Sequence, residues 1–164
     1  AISYGAPLGS AQLNASVAGG VAGTFTYSPA AGTVLPAGAH TLSVTFTPND
    51  TTTYTTVTKN VTINVTKALL TIRADDKYKQ VGKANPALTA TYSGLVNGDT
   101  PASLDTPAAL STTATTDSPV GDYPITVSAA ADANYAITFV SGTLTVGTEA
   151  ASHRILLPIV QRPQ

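Results

Sequence analysis

The sequence contains no cysteine, methionine or tryptophan, and charged residues make up only 10% of its 164 positions. Without cysteine the chain forms no disulfide and offers neither a thiolate nucleophile nor a cysteine-based metal site. Because Met is absent, we expect Ala1 to be a processed or trimmed N-terminus. Removal of a signal peptide would leave such an N-terminus. An average domain has roughly 25% charged residues. Here threonine, serine, alanine and glycine fill the difference, and threonine suits the solvent face of a sheet.

The charge balance and the apolar runs limit the partners of the chain. The net charge of −1 gives no electrostatic basis for binding nucleic acid or an anionic membrane. A net charge near zero also removes long-range repulsion between copies and so permits association. The longest apolar run, from Ile155 to Val160, is far shorter than the ~20 residues of a membrane span. The sequence therefore predicts no nucleic-acid partner and no membrane span.

The sequence contains few side chains that could act in catalysis or bind a metal. Only His40 and His153 are available for a Ser-His-Asp triad; His40 has the inward parity of a strand, and no carboxylate lies near His153 in the sequence. No group of three ligands has the spacing of a transition-metal site, and no acidic loop has that of a calcium site. We therefore predict no catalytic residue, no metal ligand and no cofactor, hence a protein that is not an enzyme. Three clustered lysines predict a solvated basic loop: Lys77, Lys79 and Lys83.

One stretch of sequence occurs twice. Pro36–Val44 and Pro119–Val127 each combine a Pro-x-Gly turn with a ring, His40 or Tyr123, and then alternate polar and apolar residues. Alternation with a period of two is typical of a β-strand that has one buried face. The two copies lie 83 residues apart. The pattern predicts two tandem modules, and it gives the two rings corner or core positions.

The whole chain lacks helical periodicity and consists of short alternating segments separated by turns. This pattern predicts an all-β fold with two tandem Ig-like β-sandwich domains, residues 1–67 and 68–147, followed by a C-terminal extended strand within residues 148–164. The join between the domains, residues 65–72, lacks Gly and Pro. A short, stiff connection and a rod-like arrangement are therefore expected.

Several motifs bear a family resemblance. The stretches Ile2–Leu8, Phe25–Pro29 and Leu35–Leu42, together with the strand that ends at Val65, resemble a bacterial Ig-like domain of large surface proteins. Such domains usually begin with a further strand, which this chain lacks before Ile2. The resemblance implies an extracellular structural or adhesive role and brings no catalytic residues.

The second half resembles another family. Residues 70–146 look like the MBG domain that often follows the bacterial Ig-like domain in surface and secreted proteins. The motifs that support this are Asn85–Gly94, Val96–Asp99 and Gly142–Val146. Val81-Gly82 stands where this family is expected to have Tyr-Gly.

The C-terminal segment fits neither family. Residues 148–152 form a polar spacer, and the residues after it are apolar on both faces of an extended chain. Such a strand needs cover on both sides, and when exposed it is an association site. We predict an intersubunit strand made of Arg154, Ile155, Leu156, Leu157, Pro158, Ile159 and Val160. Its predicted acceptor is the edge formed by Ile2, Tyr4 and Leu8. Folding back onto the second domain and a sorting signal remain alternatives.

These observations predict a secreted structural protein of the cell surface. It would polymerise head to tail into a filament by donating its C-terminal strand to a neighbouring copy of itself. The alternative is a non-polymerising adhesin or stalk module whose loops bind a carbohydrate or a protein ligand.

Overall fold

The computed structural model describes residues 1–148, which form an all-β fold with three sheets. Two short 3-10 helices, Ala18–Gly20 and Pro101–Ser103, interrupt the strands. The predicted intersubunit strand lies outside the described residues. The strands are β1 (Ile2–Ser3), β2 (Gly23–Ser28), β3 (Gly38–Pro48), β4 (Val57–Thr66), β5 (Ala68–Ala74), β6 (Lys77–Gln80), β7 (Ala90–Ser93), β8 (Ala109–Thr112), β9 (Gly121–Ser128), β10 (Tyr135–Val140) and β11 (Gly142–Gly147).

The predicted alternation is visible in the burial of the strands. In β5, Leu70 and Ile72 are fully buried. Their neighbour Leu69, one residue before Leu70, is 79% exposed. Successive side chains of a strand point to opposite faces of the sheet, so neighbouring residues of similar hydrophobicity meet different surroundings. This confirms the all-β class predicted from the period of two.

The first four strands form one sheet in the order β1-β4-β3-β2. β1 pairs parallel with β4 and places Ile2 beside Val65, whereas β3 and β4 pair antiparallel and place His40 opposite Ile63. Directly paired residues share a face of the sheet. One face of this sheet therefore carries the apolar residues of all its long strands.

A second four-stranded sheet has the order β6-β11-β9-β8, and its pairing repeats that of the first. β6 runs parallel to β11, with Lys79 beside Val146. β9 runs antiparallel to β11, with Tyr123 opposite Leu144 as His40 is opposite Ile63 in the first sheet. The internal repeat predicted from the sequence is thus present in the strand register.

The remaining strands form a three-stranded sheet in the order β10-β5-β7, with β5 in the centre. Only Lys67 separates β5 from β4, which agrees with the short connection predicted from the absence of Gly and Pro. By its contacts the chain divides into two compact units. One comprises residues 1–72, 92–109 and 128–139, and the other comprises the remaining described residues, 73–91, 110–127 and 140–148. The predicted boundaries at residues 67 and 147, the two tandem Ig-like domains and the rod-like arrangement stay predictions.

The rings of the repeated stretch occupy equivalent corner positions. His40 Nε2 lies 2.8 Å from the carbonyl oxygen of Pro36, and the hydroxyl of Tyr123 donates to the carbonyl oxygen of Pro119 at 3.0 Å. Each ring therefore bonds to the backbone four residues earlier. Since a carbonyl only accepts, Nε2 of His40 carries the proton. Of the two predicted positions, corner or core, both rings take the corner position.

The prediction of a solvated basic loop is wrong for Lys79. This residue is only 4% exposed, and its ammonium group donates to the carbonyl oxygens of Thr115, Thr116 and Lys83. Its position beside Val146 in the β6–β11 ladder directs the side chain inward. The carbonyl groups then replace water around the buried ammonium group, which a buried charge requires.

We expect Tyr123→Phe to lower the free energy of unfolding by about 1 kcal/mol, because it removes one intramolecular hydrogen bond and little else. Urea denaturation followed by circular dichroism measures the change. Tyr54→Phe is the matched control, since Tyr54 is 47% exposed, and it should change stability by less than about 0.5 kcal/mol. Equal effects of the two substitutions would show that the corner hydrogen bond does not stabilise the fold.

Candidate functional site

Residues 1–148 contain no cluster of three or more metal-ligating side chains, and the expected absence of metal ligands stays a prediction. This part of the chain also contains no helix that is long and apolar enough to cross a membrane. His40 uses its ring nitrogen to bond the backbone of Pro36. The expected absence of catalytic residues stays a prediction, and the surfaces with the clearest binding features are apolar.

The three predicted acceptor residues lie close together in the sequence but differ in environment. Ile2 is half-buried on β1, at one edge of the first sheet. Tyr4 and Leu8 are buried; the amide of Tyr4 donates to the carbonyl oxygen of Thr66, and that of Leu8 to the carbonyl oxygen of Thr33. Their proposed partner, the strand from Arg154 to Val160, lies outside the described residues. The acceptor role of this edge therefore stays a prediction.

Tyr4 belongs to a buried polar cluster. The hydroxyl groups of Tyr4 and Tyr135 donate to the same carboxylate oxygen, Oδ2 of Asp99, at 2.9 and 2.8 Å. The two rings meet edge to face with their centroids 5.5 Å apart. Next to Tyr4, Gly5 has a φ of 91° and packs so closely on Val96 that a Cβ atom there would lie 2.6 Å from the valine side chain. Glycine at position 5 is thus required both by backbone conformation and by space.

Burial and hydrogen bonds change the acidity of both tyrosines. Burial raises the pKa of Tyr135 to about 12; the hydrogen bond to the backbone of Val96 opposes this rise, and Asp99 adds to it. For Tyr4, the hydrogen bond from Asn97 lowers the pKa, but burial and the neighbouring Asp99 outweigh it and leave the pKa raised. Both phenols therefore stay neutral and remain hydrogen-bond donors to Asp99 at physiological pH.

A separate feature is an apolar slot on one face of the first sheet, lined by residues of the first half of the chain. We call it the open slot, and it has a volume of about 610 Å³. Residues 15–18 line it, as do Tyr54 and Thr55. Its floor consists of Phe25, Val44, Phe46, Val57, Lys59 and Val61.

The pairing of β2, β3 and β4 assembles the floor of the open slot. Phe46 lies opposite both Phe25 and Val57, so the three side chains share one face. The rings of Phe25 and Phe46 have their centroids 4.9 Å apart. Further along β4 the same face is buried at Ile63, but Val61 is 61% exposed. Within residues 1–148 this apolar face is therefore covered at one end and open at the other.

The sequence pattern placed the apolar residues of each strand on one face and gave no sign that this face is open. Alternation shows which residues share a face, but it does not show whether another layer lies on it. Single exposed apolar residues are normal on protein surfaces. A contiguous set with a preformed slot is different, because such patches mark interaction sites.

Comparison with known proteins identifies the second half of the chain. Residues 70–145 match the family described as MBG domain (YGX type). The chain thus contains an MBG-type domain at these residues, which confirms the prediction made from its motifs. Searches of curated proteins and of solved structures found no significant match. The bacterial Ig-like resemblance of residues 1–67 and the surface context stay predictions.

We expect the free energy of unfolding to fall as the pH rises from 10 to 12, in part through Tyr135. A phenol whose pKa is about 12 in the folded state and 10 when unfolded stabilises the fold fully below pH 10, and this contribution is lost as the pH rises through 12. Urea denaturation at pH 8 to 11.5 measures the slope, which should be smaller in Tyr135→Phe than in the unchanged chain. An unchanged slope in Tyr135→Phe would contradict the assignment.

Proposed function

We propose that this protein is an extracellular structural protein, the subunit of a surface filament that assembles head to tail. In this proposal residues 1–67 and 68–147 are two Ig-like domains, and residues 154–160 form a strand that is donated to the neighbouring copy. The protein acts without a cofactor and without catalysis, and its main partner is itself.

The open slot is the observation that carries this proposal. Residues 1–148 leave apolar side chains such as Val57 and Val61 45% and 61% exposed on the same face that buries Ile63 and Val65. Covering this face would be favourable by about 25 cal/mol for each Å² removed from water. Assembly with another copy supplies such cover, and a contact between different surfaces of two copies continues into a filament.

Composition and the MBG-type domain support the location that we propose. A chain without cysteine, with few charges and with threonine-rich strands, is suited to an exposed repetitive structure. Its net charge of −1 leaves little electrostatic repulsion between copies.

The second candidate function is a non-polymerising adhesin that binds a carbohydrate or a protein. The specific observation in its favour is Tyr54, whose ring is 47% exposed at the rim of the open slot. An exposed aromatic ring offers an apolar face with a polar tip, which suits a ligand of mixed polarity.

We expect the purified chain to form filaments visible by negative-stain electron microscopy. The triple variant Leu156→Asp, Leu157→Asp and Ile159→Asp should stay monomeric in analytical ultracentrifugation, because three carboxylates prevent burial of the segment. Its circular dichroism spectrum should equal that of the unchanged chain, which shows that the domains remain folded. Filaments that persist in the triple variant would overturn strand donation. An unchanged chain that is monomeric and binds glycans on an array would favour the adhesin.

A further inference from the structure

We propose that the open slot is the vacant position of a β-strand, and that residues 155–161 of a second copy fill it as a counterpart of β5. This inference rests on the proposed filament and identifies the surface at which its subunits join. The sequence predicted that the donated strand binds at the edge of β1. In the present inference, its apolar side chains contact the face formed by β2, β3 and β4.

The two halves of the chain can be aligned through their strand pairing. The amide of Tyr4 donates to Thr66 just after β1, and the amide of Val81 donates to Gly147 just after β6. In each case a glycine with positive φ follows, Gly5 at 91° and Gly82 at 75°. β1 therefore corresponds to β6, and Tyr4-Gly5 corresponds to Val81-Gly82.

The aligned halves differ in one strand. In the second half, β5 precedes β6 and lies between β10 and β7 in the three-stranded sheet. The counterpart of β7 is residues 13–16, and the counterpart of the start of β10 is Tyr54, which aligns with Tyr135. In the second half, β5 lies between β7 and β10. Within the described residues, no strand lies between the two counterparts of β7 and β10 in the first half.

The open slot lies in the position of this vacancy. Among the residues that line the slot, Ala15 and Ser16 belong to the counterpart of β7, and Tyr54 and Thr55 belong to the counterpart of β10. The floor is the core face of the first sheet. A strand placed in the slot would have a segment on each side and an apolar face beneath it, as a central strand requires.

The path of β4 agrees with a vacant central position. In the second half the chain breaks at Ser141, so that β10 joins the sheet of β5 and β11 joins the sheet of β9. In the first half, residues 57–66 form the single strand β4, and Val57 stays paired with Phe46 of β3. Without a strand in the β5 position, the first part of β4 has no second sheet to join.

The C-terminal segment has the sequence pattern of β5. Leu69-Leu70-Thr71-Ile72 of β5 corresponds to Leu156-Leu157-Pro158-Ile159. In β5, Leu70 and Ile72 are buried and Leu69 is exposed. The same parity would direct Ile155, Leu157 and Ile159 towards the floor of the slot and Leu156 away from it. Pro158 removes one backbone donor relative to Thr71.

The order of segments along the chain indicates that the strand comes from a second copy. β4 is the last strand of the first half, and β5 follows it after one residue. β5 belongs to the second half, where it forms the centre of the three-stranded sheet. Residues 155–161 likewise follow β11, the last strand of the second half. In the head-to-tail filament that we propose, the half that receives this strand is the first half of another copy. Every subunit junction would then repeat the connection that β4 and β5 make within the chain.

The two adjacent leucines provide a matched test. Leu157→Asp should weaken association by at least about a hundredfold, since it places a carboxylate on the slot floor. Leu156→Asp should change association by less than about tenfold, because the corresponding Leu69 is 79% exposed. Sedimentation of each full-length variant over a range of concentrations measures both values. Equal weakening by the two variants would overturn the assigned parity.

Cysteine cross-linking tests the location, and the absence of native cysteine makes it specific. The single variants Val61→Cys and Leu157→Cys are mixed and oxidised, and a cross-linked heterodimer on a non-reducing gel is the expected product. Thr62→Cys, on the opposite face of β4, replaces Val61→Cys as the control and should give at least about tenfold less heterodimer, because a disulfide needs Cα atoms within about 7 Å.

Each other outcome has a distinct meaning. Filaments without cross-linking to Val61→Cys, but with cross-linking of Leu157→Cys to Ile2→Cys, would place the strand at the β1 edge and overturn this inference while leaving the filament intact. A chain carrying both Val61→Cys and Leu157→Cys that closes only intramolecularly would show that the slot is filled by the chain's own segment. Disulfide-linked pairs of Val61→Cys alone would show slot-to-slot pairing. Absence of assembly in the unchanged chain would contradict the proposed function itself.

Discussion

The antiparallel ladder between β3 and β4 is the constraint on which the first half of the structure depends. It runs from Gly38 opposite Val65 to Phe46 opposite Val57, and its register decides which side chains share a face. At one end it brings the ring of His40 to the corner beside Pro36. At the other end it places Phe46 and Val57 together in the floor of the open slot. A shift of the ladder by one residue would reverse every one of these positions.

The same ladder is used twice, and the two halves complete it differently. The equivalent positions are buried in both halves, Ile63 and Val65 of β4 and Leu144 and Val146 of β11. The first half differs nearer the start of β4, where Val61 on the same face is 61% exposed. The second half contains the strand β5, and residues 1–148 do not supply an equivalent strand to the first half. This missing strand explains the open face. An apolar face that lacks its covering strand is a ready site for another strand of matching pattern.

Residues predicted as an acceptor edge have another clear structural role. Tyr4 joins Tyr135 at the carboxylate of Asp99, and Gly5 packs on Val96. These contacts connect the start of the chain with two segments far along the sequence, one around Asp99 and one at Tyr135, and they form part of one compact unit. The sequence separated these residues into two predicted domains because hydrophobic alternation contains no information about which loops meet. Lys79 shows the same limit: its charge predicted exposure, whereas its place in the β6–β11 ladder buries it among carbonyl groups.

The sequence by itself determined the all-β class, the repeated stretch and the MBG-type domain at residues 70–145. These properties are local or periodic, because alternation, turn residues and spaced motifs are written along the chain. Only the tertiary structure decided that Val57 and Val61 line an open slot, that Lys79 is buried and that Tyr4 shares a carboxylate with Tyr135. Each of these depends on which distant segment covers a given face, and that is settled by long-range packing rather than by the pattern of any one strand.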